Sequence, residues 1–281
     1  MQLFSNRKSS FVTTGVKAAL ILMGATLLPV SVSHAVPFTS DISISGSTDF
    51  AESPSFGSTS GDFGVTVGGV TTTSTYAGST VTGADPLFGT LTDIGDGFGF
   101  TGSASTSTLN DEFLIGIDTN LTLGNSSATD TYEVVFGITF SNLANADGDD
   151  AYSHSNLELL IGANIEFFSD LLSDPLGGDL IDGEYIDPAT FGDLLSEAGS
   201  LLLPTITLTP GAGETLELTW TGEGGVYFDP SLAELDLSTF LSVASVTNVT
   251  RPTNDIPEPG TFFLLGAGLL GLPLLRKARR G

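Results

Sequence analysis

Oxygen-bearing side chains crowd one short segment of this chain. Asn145-Ala146-Asp147-Gly148-Asp149-Asp150 sets Asn145, Asp147 and Asp149 at alternate positions, with Asp150 directly behind. Calcium takes oxygen ligands, so these four side chains are its candidate ligands and calcium the one candidate cofactor. The segment is not an EF-hand, which needs glycine where Asp150 stands and glutamate where Asn156 stands. A polar turn between two strands accounts for the same residues, because Asp and Gly favour turns. Asp179, Asp182, Glu184 and Asp187 form a second, looser acidic group.

Catalytic chemistry finds little to work with. The chain has no cysteine and two histidines, His34 and His154. A serine triad would have to use His154, and no G-x-S-x-G elbow is present. Zinc rarely sits on carboxylates alone. Carboxylates are too numerous to single out a pair for glycoside hydrolysis. Catalytic residues are therefore expected to be none. Trp220, Tyr227 and Phe228 offer stacking faces for a sugar, although Trp220 continues the apolar face of Leu216 and Leu218 and so also reads as core. Thr71-Thr72-Thr73-Ser74-Thr75 is one short run, whereas ice binding needs flat ranks of threonine.

The elements around these residues read as β-strands. Asp41 to Ser45 and Phe63 to Val67 alternate apolar and polar residues, as half-buried strands do. Glu112 to Leu123 and Tyr132 to Phe140 repeat the pattern at greater length. With Asn156 to Ile161 following, the spacing predicts a long hairpin whose connection is the turn-rich Asn142 to Asp150. Ile165 to Ser200 breaks the rhythm and reads as an insertion or long loop, with a short helix over Pro188 to Glu197. Strands resume at Pro204 to Leu208, Glu214 to Thr221 and Phe240 to Val249. Many short strands with frequent turns predict an all-β fold, a β-sandwich with a loop-rich insertion. A β-solenoid would need a fixed period, and none emerges.

The two ends of the chain are of another kind. Arg7, Lys8 and Lys17 precede an apolar run from Ala18 to Val32, and Ser33-His34-Ala35 places small residues at a cleavage site before Val36. Residues 1–35 thus read as a secretory signal peptide. At the other end Pro257-Glu258-Pro259-Gly260 precedes an apolar run, Thr261 to Leu275, and then the basic cluster Arg276, Lys277, Arg279 and Arg280. As a helix that run spans roughly 22 Å at ~1.5 Å per residue, short of the about 20 apolar residues of a stable membrane span. Gly266-Ala267-Gly268-Leu269-Leu270-Gly271 matches G-x-G-x-x-G, but no strand and helix frame it as a dinucleotide site requires.

Charge agrees with these ends. All 33 acidic residues fall between Asp41 and Glu258, and between Val36 and Leu275 the only basic residue is Arg251. By the positive-inside rule both basic flanks stay cytoplasmic and the body between them is exported. A net charge of −25 rules against nucleic acid as a direct partner. The expected organisation is signal peptide 1–35, acidic domain 36–250, linker 251–256 and sorting segment 257–281.

The order of motif, apolar helix and basic cluster resembles the PEP-CTERM sorting signal of Gram-negative bacteria. The same kind of segment also goes under an ice-binding protein C-terminal label, which describes the tail and not an activity. The resemblance implies recognition by an exosortase, a membrane-embedded cysteine protease-transpeptidase. It implies export, a transient stay in the cytoplasmic membrane, cleavage near Pro257 to Gly260, and release or attachment at the cell surface, often with exopolysaccharide and biofilm. Leu203 to Trp220 is locally similar to strand-turn-strand segments of exosortase-dependent surface proteins. Two readings of the body stay open beside a carboxylate hydrolase: a structural or adhesive surface protein, and a polysaccharide-binding module that uses calcium.

Overall fold

The computed structural model describes residues 37–52, 58–78, 80–82, 87–148, 150–186, 192–227 and 231–250. Sixteen strands run through them: β1 Ile42–Glu52, β2 Ser58–Val67, β3 Val70–Ala77, β4 Thr80–Thr82, β5 Leu87–Leu91, β6 Gly97–Thr106, β7 Asp111–Asn125 and β8 Tyr132–Asp147, then β9 Ala151–Ile161, β10 Asn164–Ser173, β11 Leu180–Ile181, β12 Glu184–Tyr185, β13 Leu195–Leu202, β14 Ile206–Leu208, β15 Gly213–Val226 and β16 Leu232–Asn248. They form two eight-stranded sheets, and every strand pairing is antiparallel. Sheet one runs β12-β11-β10-β9-β15-β7-β1-β5. Sheet two runs β13-β8-β16-β6-β2-β3-β4, with β14 also on β8. The expected all-β sandwich is what the chain forms.

Side-chain alternation drives this packing. Along β7 every second residue from Asp111 to Asn125 is buried, so Phe113, Ile115, Ile117, Leu121 and Leu123 share one face. Tyr132, Val134, Phe136 and Ile138 do the same on β8. Two such faces can be removed from water only against each other, and burying each large side chain is worth about 2 kcal/mol. Trp220 fills the centre and is wholly buried. It needs Gly102 of β6 opposite it, because a Cβ there would overlap the indole ring and the Tyr76 hydroxyl. Core, not a sugar platform, is therefore the role of Trp220.

Three local expectations fail for one reason. The predicted hairpin does not exist: β8 lies in sheet two and β9 in sheet one, so the segment between them arches from sheet to sheet. Its connection is also shorter than expected, since β8 continues to Asp147 and β9 begins at Ala151. The expected insertion at Ile165 to Ser200 is largely strand, comprising β10, the β11–β12 pair and β13. In place of the expected helix end, Leu195 to Glu197 open β13; residues 188–191 lie outside the described residues. Strand pairing, with distant strands for β8, β9 and β13 and with chain neighbours for β10, β11 and β12, overrides local turn and helix signals.

Candidate functional site

The sandwich has two dissimilar ends. The chain enters at Pro37, which bridges Asp93, and Phe38 donates to the Thr92 carbonyl at 3.1 Å. β1 then begins at Ile42, opposite Asn125 at the end of β7. The chain leaves at Thr250, beside the start of β8: Thr131 N–H donates to Thr250 Oγ1 at 2.6 Å, and Val249 N–H to the Thr131 carbonyl at 2.9 Å. The two passages are tied together. Tyr132 donates to Asp41 Oδ2 at 2.8 Å, and Asn125 Nδ2 donates to the carbonyls of Asp130, Leu208 and Thr209 at 2.8 to 3.0 Å. Both routes out of the body therefore open at one end.

The opposite end carries the connections β6–β7, β8–β9 and β15–β16. Asn110 N–H donates to the Val226 carbonyl at 2.8 Å, and Tyr227 N–H to the Asp150 carbonyl at 3.0 Å. β7 runs between the two ends. Thirteen steps separate Glu112 from Asn125 at ~3.3 Å each, so the ends are roughly 43 Å apart.

The candidate calcium residues sit at this far end. Asn145 and Asp147 lie two residues apart on β8, facing outward beside the inward Ala144 and Ala146. Asn145 pairs with Glu234 and Asp147 with Leu232 of β16. Asp150 follows the turn at Gly148, whose φ is 113°, while Asp149 lies outside the described residues. Among the described residues, no three His, Cys, Asp or Glu side chains group in a way that could hold a metal ion. Of the second acidic group, Asp179 is buried and taken up by the backbone: its carboxylate accepts from the N–H groups of Asp174, Gly192 and Asp193 at 2.9 to 3.0 Å. Asp182 accepts from Asp170 N–H at 3.1 Å, Glu184 is exposed on β12, and Asp187 lies outside the described residues. Asp179 and Asp182 thus hold backbone N–H groups of this segment.

Sequence reasoning missed two groups of residues. One is a polar seam through the core. Asn142, placed in a turn by its neighbours, is fully buried on β8. Its amide nitrogen donates to the carbonyls of Ser155 and Ser169 at 3.3 and 3.2 Å and to Ser169 Oγ at 3.0 Å. Its amide oxygen accepts from the Ser155 hydroxyl, which itself accepts from Trp220 Nε1 at 2.9 Å. Ser169 Oγ donates to Glu197 at 2.6 Å, and Ser153 Oγ to the Glu234 carbonyl at 2.7 Å. These bonds join β9, β10 and β15 of sheet one to β8, β13 and β16 of sheet two. The clue in the sequence was small: serine at 153, 155 and 169 on otherwise apolar strand faces.

The other group lies on the outer face of sheet one near the far end. Tyr152 and Tyr227 stack with ring centroids 5.9 Å apart and planes within 6°. Tyr227 donates to Glu112 Oε1 at 2.8 Å. Gly225 lies between Glu112 and Tyr152 in the sheet, and a Cβ there would come within 3.1 Å of both side chains. Burial, then the bond to Glu112, holds the Tyr227 phenol well above its ordinary pKa; burial, partly offset by a hydrogen bond with Tyr227, raises that of Tyr152. Beside the pair, His154 Nε2 meets Asp170 Oδ1 at 2.6 Å and its Nδ1 lies 3.5 Å from Glu223 Oε1. His154 is thus held between carboxylates, and no serine hydroxyl is bonded to its ring among the described residues.

The remaining candidates, Ser33, Ala35 and Val36 at the signal cleavage site and Pro257, Glu258, Pro259, Gly260, Arg276, Lys277, Arg279 and Arg280 of the tail, lie outside the described residues. Among the described residues no helix is long and apolar enough to cross a membrane.

The molecule is thus a two-sheet sandwich with both chain passages at one end. Residues 255–280 match the PEP-CTERM protein-sorting motif, so the chain carries that motif just beyond the end where it leaves the sandwich. The motif implies an exported protein, sorted by an exosortase through a transient membrane intermediate. No curated protein matches the chain. Among solved structures, the VP2 subviral particle of infectious bursal disease virus aligns at 8% identity over 83% of this chain and 73% of that chain, with a TM-score of 0.18. The Gt strain structure of the same virus aligns at 9% identity over 82% and 72%, with a TM-score of 0.17. Scores this low carry no argument about this protein.

Proposed function

We propose that this is a non-enzymatic protein of the cell surface or extracellular matrix of a Gram-negative-type bacterium. Exosortase cuts it near Pro257 to Gly260, and the acidic sandwich then serves a structural or adhesive role beside exopolysaccharide. The observation that carries this reading is the sorting motif at residues 255–280, attached at one end of a body with a buried core. One-ended attachment suits display, because roughly 43 Å of strand separates the far end from the end where the chain leaves the sandwich. Its strong negative charge keeps the released body soluble by self-repulsion.

Intact-mass measurement on protein from cells with and without exosortase tests the processing. The mass is expected to drop by the C-terminal segment only where exosortase is present. An unchanged mass that still includes Arg276 to Gly281 would sink the proposal. A calcium titration followed by thermal melting tests the role of the body. No shift, with no retention on polysaccharide, supports the structural role; a rise of several degrees reversed by EDTA favours the calcium-using binding module.

A further inference from the structure

Sheet one presents aromatic rings and carboxylates together at the end opposite the one where the chain leaves the sandwich at Thr250. Tyr227 is 39% exposed, and Leu114, opposite Glu223 on β7, is 44% exposed. The Tyr152 ring and Glu112 reach the bare backbone of Gly225 from its two neighbouring strands, Tyr227 stacks on Tyr152, and Glu223 lies two residues along β15. Both glutamates are exposed at the surface. Among the described residues there is no lysine or arginine at all, and the only basic side chain is His154. His154 already faces Asp170 and Glu223. Glu112 accepts a hydrogen bond from the neutral Tyr227 phenol.

This combination has a definite ligand chemistry. The face of an aromatic ring attracts a cation held within about 6 Å of its centre, and more strongly where water is excluded. A carboxylate at the ring edge adds a charge-assisted hydrogen bond to the same cation. A neutral ligand would use the ring faces but leave the carboxylates without a counter-charge, and an anionic one would be repelled by a strongly acidic body that belongs to a chain of net charge −25. We propose that Tyr152, Tyr227, Glu112 and Glu223 form a docking surface for a lysine- or arginine-rich peptide segment of a partner protein. The rest of the outer face favours the same sign of partner: Asp118 faces Asp49 across β1 and β7, and Glu217 lies close enough to raise the Asp118 pKa. The displayed-surface reading supplies only the outward direction of this end. Binding itself does not depend on exosortase processing, so the two proposals fail separately.

Hexalysine titrated into the exported protein by calorimetry at low salt is the test. Saturable binding is expected. The double variant Y152L/Y227L keeps apolar bulk but loses both ring faces, and is expected to weaken binding by about tenfold. Tyr227→Phe keeps the ring and loses only the hydroxyl, and should bind nearly as well as the parent. Glu133→Gln, on the outer face of sheet two, should change nothing. The proposal is overturned if the parent does not bind, if Y152L/Y227L binds as tightly as the parent, if Glu133→Gln weakens binding equally, or if neutral cellohexaose binds more tightly than hexalysine. Should Y152L/Y227L fail to fold by Trp220 fluorescence, E112Q/E223Q takes its place with the same expected loss, and undiminished binding by it overturns the proposal.

Discussion

Replacing Asn142 with leucine removes the amide at the centre of the inter-sheet seam while keeping the same count and branching of side-chain heavy atoms. Asn142 is 0% exposed, so no water takes over its bonds. The carbonyls of Ser155 and Ser169 sit on strands paired on both or one of their sides. The uncompensated loss falls chiefly on the Ser155 hydroxyl, which gave its proton to Asn142 Oδ1. A buried donor left without an acceptor costs about 1–3 kcal/mol, and the bond to Ser169 Oγ adds about 1 kcal/mol. The total is about 3 kcal/mol. For a body of this size each kcal/mol shifts the melting temperature by about 2–4 °C, so a fall of roughly 6–12 °C is expected. Trp220 is the chain's only tryptophan and is wholly buried, so its emission reports unfolding directly. A second variant sharpens the reasoning. Adding Ser155→Ala removes the orphaned hydroxyl, but it also takes the acceptor from Trp220 Nε1. Recovery should therefore be partial, not complete. A fall under about 2 °C for Asn142→Leu, or full recovery in the double variant, would refute the idea that this seam joins the sheets.

Two further outcomes follow from packing and charge. Gly102→Ala drives a methyl into the indole of Trp220 and the Tyr76 hydroxyl, and should cost about 3 kcal/mol in chemical denaturation with an early red shift of emission. Asp118 has its pKa raised above the ordinary 3.8 by burial first, then by Glu217, with a lowering by the hydrogen bond from Asn120 and a smaller raising by Asp49. A raised folded value means that the folded state holds the proton more tightly, so this stabilisation is full below the unfolded value and is lost as pH rises through the folded one. Asp118→Asn should then be more stable than the parent at pH 7, by about 0.5 kcal/mol for relief of the directly opposed Asp49, with the difference closing below the ordinary carboxylate value; melts across that pH range check it.

Much of the architecture could be read from alternation alone. β7 and β8 were visible because period-two burial is a local property of residues such as Phe113, Ile115, Val134 and Phe136. The partner of each strand was not visible. Asn142 to Asp150 has the composition of a hairpin turn, and nothing within it says that β9 joins the other sheet. That choice rests on which distant strand completes the hydrogen bonds: β15 for β9, β16 for β8. The same limit hid the far-end surface. Tyr152 and Tyr227 are 75 positions apart in the chain and meet only because β9 and β15 pair with Gly225 opposite Tyr152.

The sequence by itself determined how this protein is handled. The sorting motif at residues 255–280 is a linear feature, so no fold is needed to read it. The sequence determined the all-β class as well, since strand alternation is written residue by residue. Only the tertiary structure decided which polar side chains became core and which aromatics became surface. Burial and pairing are properties of two chain segments at once, and neither segment carries that information alone.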